Sequence, residues 1–319
     1  MANLLTGLHH VTSFASNPQK NVDFYAGILG LRMVKKTVNF DAPNIYHLYY
    51  GDWLGQPGTI LTFFPYKGIG KGRKGNGQVT ITSFSIPENS LEYWMRRLDK
   101  FNISYHKPVQ HFNAETSIYF EDNDGMGIEL VANDNDDRPG FSYGQIPEEY
   151  AVKGFYGVTL GQSNSEATKK LLTEEMEHKQ ILERDNRIRL TTTDKAGSYV
   201  DIVTDNTAPR GLGGAGTVHH VAFATPNDAT QLEFRERLMK NGILEPTPVL
   251  DRQYFHSIYF REPGGVLFEV ATNNIGFTID ETEENLGTAL KLPSWEEQNR
   301  KAIENGLDPI EVNIEKFRD

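Results

Sequence analysis

Two histidine pairs and one late glutamate hold the chemistry that can be read from this chain. His9-His10 sits in Gly7-Leu8-His9-His10-Val11-Thr12, His219-His220 in Thr217-Val218-His219-His220-Val221, and Glu269 in Val266-Leu267-Phe268-Glu269-Val270. Imidazole nitrogen and carboxylate oxygen are ligands for divalent first-row metals. Two histidines with one carboxylate hold one face of such an ion and leave the other open, the arrangement of oxygen-using non-haem Fe(II) sites. A single His-His pair on a strand is ordinary packing. Here the pair occurs twice, at the start of two copies of one unit, and one copy also carries the glutamate. Strand alternation turns only one histidine of each pair toward a site, and the strand pattern does not choose between them.

The elements that must position these residues follow from the stretch Thr217 to Asn274. Its opening, rich in β-branched and aromatic residues, reads as a strand that stops at Pro226. Asp228 to Gly242 reads as a helix, with Leu232, Phe234 and Leu238 apolar among charges and Gly242 suited to a C-terminal cap. Ser257-Ile258-Tyr259-Phe260 and Val266 to Val270 read as strands joined by a Pro263-Gly264-Gly265 turn. The unit is β-α-β-β-β, and it recurs.

Four units occupy 1–66, 78–134, 154–205 and 215–274, followed by an extension, 275–319, with one helix from a capping box at Ser294 to about Gly306. The first-strand position holds His10, Ile81, Gly157 and His220; the last-strand position holds Thr62, Glu129, Asp201 and Glu269. Units 1 and 4 together supply two imidazoles and one carboxylate, and Thr62, a poor ligand, stands where a fourth would be. Ligand logic places units 1 and 4 in a live lobe and units 2 and 3 in a dead one, with sequential pairing the alternative. Glu129 and Asp201 read as relics or solvated side chains. His47, His106, His111 and His178 fall outside the pattern and read as ordinary. Lys67 to Gly77 reads as a flexible connector, because it lacks the Gly-Lys-Ser/Thr ending of a phosphate loop. Asn133 to Glu149, acidic and rich in turn formers, reads as the inter-lobe linker.

Composition bounds the rest. A chain of 319 residues suggests two domains or several repeated units, and 38% hydrophobic residues with 11% aromatic suffice for sizeable cores. A net charge of −11 argues against nucleic acid or an anionic membrane surface as partner. No cysteine is present, which excludes disulfides, zinc ribbons and a thiol nucleophile. With no signal-peptide pattern and no apolar run near the roughly 20 residues that span a bilayer, a soluble cytoplasmic protein is the expectation.

Four β-α-β-β-β units with first-strand histidines and a last-strand glutamate resemble the vicinal oxygen chelate (glyoxalase/bleomycin resistance/extradiol dioxygenase) superfamily. The chain looks most similar to its ring-cleaving dioxygenases of the hydroquinone 1,2-dioxygenase type, over nearly its whole length, including Tyr46-His47-Leu48-Tyr49-Tyr50 and Gly55-Gln56-Pro57-Gly58-Thr59. The resemblance implies an α+β fold of two pseudo-symmetric lobes of cupped mixed sheets. It also implies Fe(II), with Mn(II) the alternative metal, held by His10, His220 and Glu269, the second histidine of each pair and the late glutamate. Active-site residues beside the metal fall on Thr12, His219, Arg252 and Tyr259: Tyr259 to hydrogen-bond substrate or oxygen, Arg252 to hold the far hydroxyl, His219 as acid or base, and Thr12 to shape the pocket. Alternation points His219 away from the metal unless its strand is bulged. Gly157, where catechol extradiol enzymes have a histidine, supports the hydroquinone branch. The implied partners are a small aromatic substrate and O2, and the C-terminal tail packs on a lobe or on a neighbouring subunit of a homo-oligomer. The rivals are a glyoxalase-like metal-dependent lyase or isomerase, which Thr62 disfavours, and a non-catalytic binding protein of the same fold.

Overall fold

Four β-α-β-β-β groups follow one another along the chain in the computed structural model, which describes residues 3–112, 115–240, 242 and 245–319. The first comprises β1 (Leu8–Ala15), α1 (Pro18–Val22) continuing as a wider π turn (Asp23–Ile28), β2 (Arg32–Asn39), β3 (Ala42–Gly51) and β4 (Ile60–Pro65). The second has β5 (Gln78–Ile86), α2 (Leu91–Lys100), β6 (Val109–His111), β7 (Glu115–Glu121) and β8 (Gly127–Ala132). The third has β9 (Gly154–Gln162), α3 (Glu166–Glu174), β10 (Lys179–Arg184), β11 (Arg187–Thr191) and β12 (Tyr199–Thr204). The fourth has β13 (Val218–Thr225), α4 (Asp228–Lys240), β14 (Leu250–Asp251), β15 (His256–Arg261) and β16 (Leu267–Thr272).

The strands form two eight-stranded mixed sheets, ordered β14-β15-β16-β13-β1-β4-β3-β2 and β10-β11-β12-β9-β5-β8-β7-β6. The first and fourth groups therefore share one sheet, the second and third the other. In each, two first strands meet antiparallel at the centre, and each runs parallel to the last strand of its own group. Burial explains the central place of β1: all but one of its residues are buried, as a strand covered on both faces requires. Helices add one apolar stripe each. Asn17 caps α1 by accepting from the Lys20 amide at 2.9 Å, Pro18 takes the first helical position, and α2 buries Tyr93, Trp94, Arg97 and Leu98.

Three connecting segments differ from expectation. Lys67–Gly77 is not a loose connector. It lies along the segment that joins the third and fourth groups, with amides of Gly72, Arg73 and Asn76 donating to carbonyls of Ala215, Leu212 and Pro209 at 2.9 Å. Glycine is needed for this approach, since a Cβ on Gly75 would stand 2.2 Å from the Pro209 carbonyl. These two zipped segments join the lobes. Asn133–Glu149 connects β8 to β9 within one sheet, so it is an intra-lobe segment.

The C-terminal helix is shorter than its capping box suggested: α5 spans Arg300–Gly306 after a single 3-10 turn at Glu297–Asn299. Arg300 binds Glu297, Glu304 and the Leu290 carbonyl, and Ile303 packs with Val38 and Leu292, so the tail is anchored on its own chain. Arg97, wholly buried, holds the Phe317 carbonyl and Asp319 as well as the Gly27 and Ile28 carbonyls.

His178 carries a prediction. Its Nδ1 donates to the Met176 carbonyl at 2.7 Å while its buried Nε2 has no partner among the described residues, and burial pushes it from 6.5 down to about 4. Between those values the unfolded chain binds the extra proton, so stability falls as pH is lowered, by at most about 1.4 kcal/mol per pH unit from this group. In urea titrations of the metal-free protein from pH 7 to pH 4.5, His178→Leu is expected to show a shallower acid decline than wild type. Equal slopes would remove His178 from the account.

Candidate metal centre

The central β1–β13 pair positions the histidines, and both strands are bulged there. Leu8 faces Phe223 and His10 faces Ala222, which leaves His9 as an extra residue; Thr12 faces His220 and Ser13 faces Val218, which leaves His219 extra on the other strand. Simple alternation, which would separate the members of each pair, therefore fails at both places. The His9 and His10 rings meet edge-on with centroids 5.1 Å apart, and those of His219 and His220 meet at 5.0 Å. The adjoining strands repeat the symmetry: Thr12 pairs with Thr62 and Ala222 with Glu269, while Tyr49 pairs with Thr62 and Tyr259 with Glu269.

His10, His220 and Glu269 converge. Their ligand atoms lie within 4.8 Å of one another, and all three residues are buried. His10 Nε2 is 3.2 Å from His220 Nε2, and Glu269 Oε2 is 3.2 Å from the first and 2.9 Å from the second. Despite these short distances Glu269 Oε2 has no hydrogen-bond partner among the described residues. Acceptor atoms buried face to face without a donor are costly, and a divalent cation between them satisfies all three.

A metal at Nε2 would fix the tautomers. His10 Nδ1 is 2.9 Å from His9 Nδ1, and His220 Nδ1 is 2.7 Å from His219 Nδ1. With Nε2 kept free for a metal, each ligand carries its proton on Nδ1 and donates it to the neighbouring histidine, an outer-shell orientation. The acceptors stay neutral: burial and His10 push His9 down to about 3, and burial and His220 push His219 to about 3. Glu269 is opposed by burial, but His10 and His220 more than offset it and hold the carboxyl well below its ordinary 4.5. Its other oxygen accepts from the Ser257 hydroxyl. The donor set fits a divalent first-row metal with an open face.

A cavity of about 470 Å³ opens beside the set, walled by Phe14, Phe64 and Phe255 and reached by His219, Arg252 and Tyr259. Arg252 Nε donates to Tyr259 Oη at 3.3 Å, and its Nη1 lies 3.4 Å from Asp41 at the rim. The Tyr259 hydroxyl is pushed up by burial and by Glu269, so it stays protonated. Thr12 does not border the cavity; it is fully buried and bonded to Thr62 Oγ1 at 2.8 Å. One residue read as ordinary belongs here: His47 lines the cavity and contacts Thr62 Oγ1 through Nε2 and Tyr49 Oη through Nδ1, both at 2.8 Å. The repeat could not flag it, because the equivalent positions hold Ser117, Arg187 and Ser257.

The second sheet shows what the same scaffold does without histidines on its first strands. Glu129 and Asp201 are buried rather than solvated, and every carboxylate oxygen is occupied. Glu129 accepts from Ser83, Ser117 and His111 at 2.8–2.9 Å, and Asp201 holds Arg187 and Arg189. Ser83 takes the place that Ala222 has beside Glu269. That exchange of a hydroxyl for a methyl leaves Glu269 Oε2 free for a metal.

The fold and site define a metal-binding scaffold of paired β-α-β-β-β units. A profile of the Glyoxalase/Bleomycin resistance protein/Dioxygenase superfamily matches residues 7–130 and 151–270. The chain belongs to that superfamily, and its relatives place it on the ring-cleaving dioxygenase branch. The "Putative ring-cleaving dioxygenase MhqO" of Bacillus subtilis is 42% identical over 312 residues, covering 98% of this chain and 99% of that one. The chlorohydroquinone/hydroquinone 1,2-dioxygenase of Sphingobium indicum is 32% identical over 313 residues, covering 96% of this chain and 97% of that one. A crystal structure of a "putative dioxygenase" from Bacillus subtilis superposes with a TM-score of 0.93 at 41% identity, over 98% of this chain and 99% of that one. Maize glyoxalase I, at 13% identity and a TM-score of 0.63 over 84% of this chain and 92% of its own, shares the fold.

Proposed function

We propose that the protein is an Fe(II)-dependent dioxygenase that opens a hydroquinone-type aromatic ring and adds both atoms of O2. The observation that carries this reading is the three-ligand set with a threonine, not a carboxylate, at the fourth position. A full-length relative named for hydroquinone 1,2-cleavage supports the substrate class. Held by His10, His220 and Glu269, Fe(II) supplies Lewis acidity that favours a phenolate, and an open face for ring and O2; Mn(II) suits the same donors.

The chain's own groups do the rest. Phe14, Phe64 and Phe255 give a flat ring an apolar slot and exclude water. Burial opposes the Arg252 charge, but Tyr259, Asp41 and Glu269 more than offset it, so the guanidinium stays cationic and favours anionic oxygen in the cavity. Because Arg252 donates to Tyr259, the tyrosine keeps its own hydrogen to give to a ligand oxygen. With Nδ1 accepting from His220, the His219 proton sits on Nε2 of a ring open to the cavity, where it can donate a hydrogen bond to a substrate oxygen.

The test is oxygen uptake by protein loaded anaerobically with Fe(II), offered hydroquinones and catechols, beside His220→Ala. Uptake with hydroquinones that vanishes in the variant is expected. Uptake with catechols alone overturns the substrate class. Stoichiometric iron with no uptake for any ring overturns the dioxygenase reading and leaves the lyase or binding protein.

A further inference from the structure

A buried chain of four polar side chains ends at the cavity, and its hydrogen-bond direction is determined by where it begins. Thr12 Oγ1, Thr62 Oγ1, His47 and Tyr49 Oη follow one another through three contacts of 2.8 Å. Thr12 and Thr62 are both wholly buried. Burial drives the His47 imidazole well below 6.5 and the Tyr49 hydroxyl well above 10.0, so both are neutral throughout. A neutral imidazole donates from one nitrogen and accepts at the other. The chain therefore has two directions, and they differ at the ends alone.

If Tyr49 donates to His47 Nδ1, then His47 Nε2 donates to Thr62 and Thr62 donates to Thr12. The Thr12 hydrogen is then left in a dry interior, since Thr62 is its one hydrogen-bond partner among the described residues. An unmatched buried donor carries the full desolvation cost. In the opposite direction Thr12 donates to Thr62, Thr62 to His47 Nε2, and His47 Nδ1 to Tyr49 Oη. Every buried hydrogen then has an acceptor, and the Tyr49 hydrogen is turned outward at the cavity wall. Successive bonds in such a chain strengthen one another, which makes that last hydroxyl a better donor.

We propose that Tyr49 is a substrate-positioning residue that acts as a donor only, and that Thr12, Thr62 and His47 enforce that role. Its Oη already accepts from His47, so the cavity meets a hydrogen and reads a ring oxygen with a free lone pair. The polar group it selects for is a second ring oxygen, whether hydroxyl or ether. The identity of the ring rests on the dioxygenase reading above; the donor role does not.

Binding to the Fe(II)-loaded protein without oxygen, measured by calorimetry, separates the two. Hydroquinone and 4-methoxyphenol are expected to bind comparably, since both offer a second oxygen that accepts, and phenol about tenfold more weakly, the worth of one hydrogen bond. Tyr49→Phe should bring the first two down to phenol's affinity and leave phenol unchanged. In 15N spectra of histidine-labelled protein, His47 should carry its proton on Nδ1, and Thr12→Val, which removes the stranded hydrogen, should admit the Nε2 form. A 4-methoxyphenol affinity equal to that of phenol, or a wild-type His47 protonated on Nε2, overturns the proposal. If this pattern appears but no ring supports oxygen uptake, the donor role stands and the dioxygenase reading falls.

Discussion

Glu269→Gln is expected to leave a folded protein that neither retains iron through dialysis nor consumes oxygen with hydroquinone. The amide keeps the shape of the side chain and an oxygen for the Ser257 hydroxyl, so the strand pairing of β16 with β13 and β15 is preserved. What it removes is the one negative charge in a set whose other two members would be neutral imidazoles when a metal is bound. Buried groups of this kind gain from a cation far more than exposed ones do, because the surroundings screen little. Losing several kcal/mol of charge stabilisation corresponds to a loss of three orders of magnitude or more in metal affinity and in turnover. Circular dichroism, metal content after dialysis, and oxygen uptake make the measurement. A variant that keeps wild-type iron and uptake would show that Glu269 is not a ligand. The metal-free form gives the sign of a second effect. In wild type Glu269 is held ionised by His10 and His220 against the pull of burial, so the variant loses that interaction and gains relief from a buried charge. Its metal-free stability should change far less than its metal affinity.

Much of this site was legible because the chain repeats itself. One last-strand glutamate and two first-strand histidine pairs, aligned through four copies, are enough to expect one histidine of each pair and Glu269 at one point, since first and last strands of each unit lie side by side; the choice of His10 and His220 came from the family resemblance. The α+β architecture follows from the same repeat. What stayed hidden depends on departures from it. The orientation of His9 and His219 was open, because both are bulge residues and a bulge is an insertion in pairing that leaves no mark on the apolar pattern. His47 reaches the site from β3, two residues before Tyr49, at a position whose counterparts are serine or arginine. The zipped linkers were misread for a different reason. Glycine-rich sequence signals flexibility when alone, but Gly72 and Gly75 are there so that a second strand of backbone can approach. The one helix of the tail begins later than its capping box suggested, because a capping box states where a helix can begin, not that packing will keep it.

Thr62→Glu tests the opposite limit, a site with one ligand too many. Thr62 is the pseudo-symmetric mate of Glu269: it pairs with Thr12 and Tyr49 as Glu269 pairs with Ala222 and Tyr259. A carboxylate there lies on the strand facing His10 and can complete a four-ligand set, which leaves fewer positions for a ring and O2 together. The expected result is tighter metal retention with oxygen uptake reduced at least about a hundredfold, the scale of lost metal-centred charge stabilisation. The variant also removes the hydroxyl that links Thr12 to His47 and places a charge in a wholly buried position beside those two side chains. Without metal that charge is uncompensated, a cost of roughly 3–5 kcal/mol, whereas with metal it is neutralised. Thermal unfolding should therefore become strongly metal-dependent, with a larger upward shift on adding Fe(II) or Zn(II) than wild type shows. Wild-type uptake together with wild-type metal dependence would mean that the introduced carboxylate never reaches the ion. In that case the open face would owe nothing to the threonine, and Thr62 would no longer count against the lyase reading.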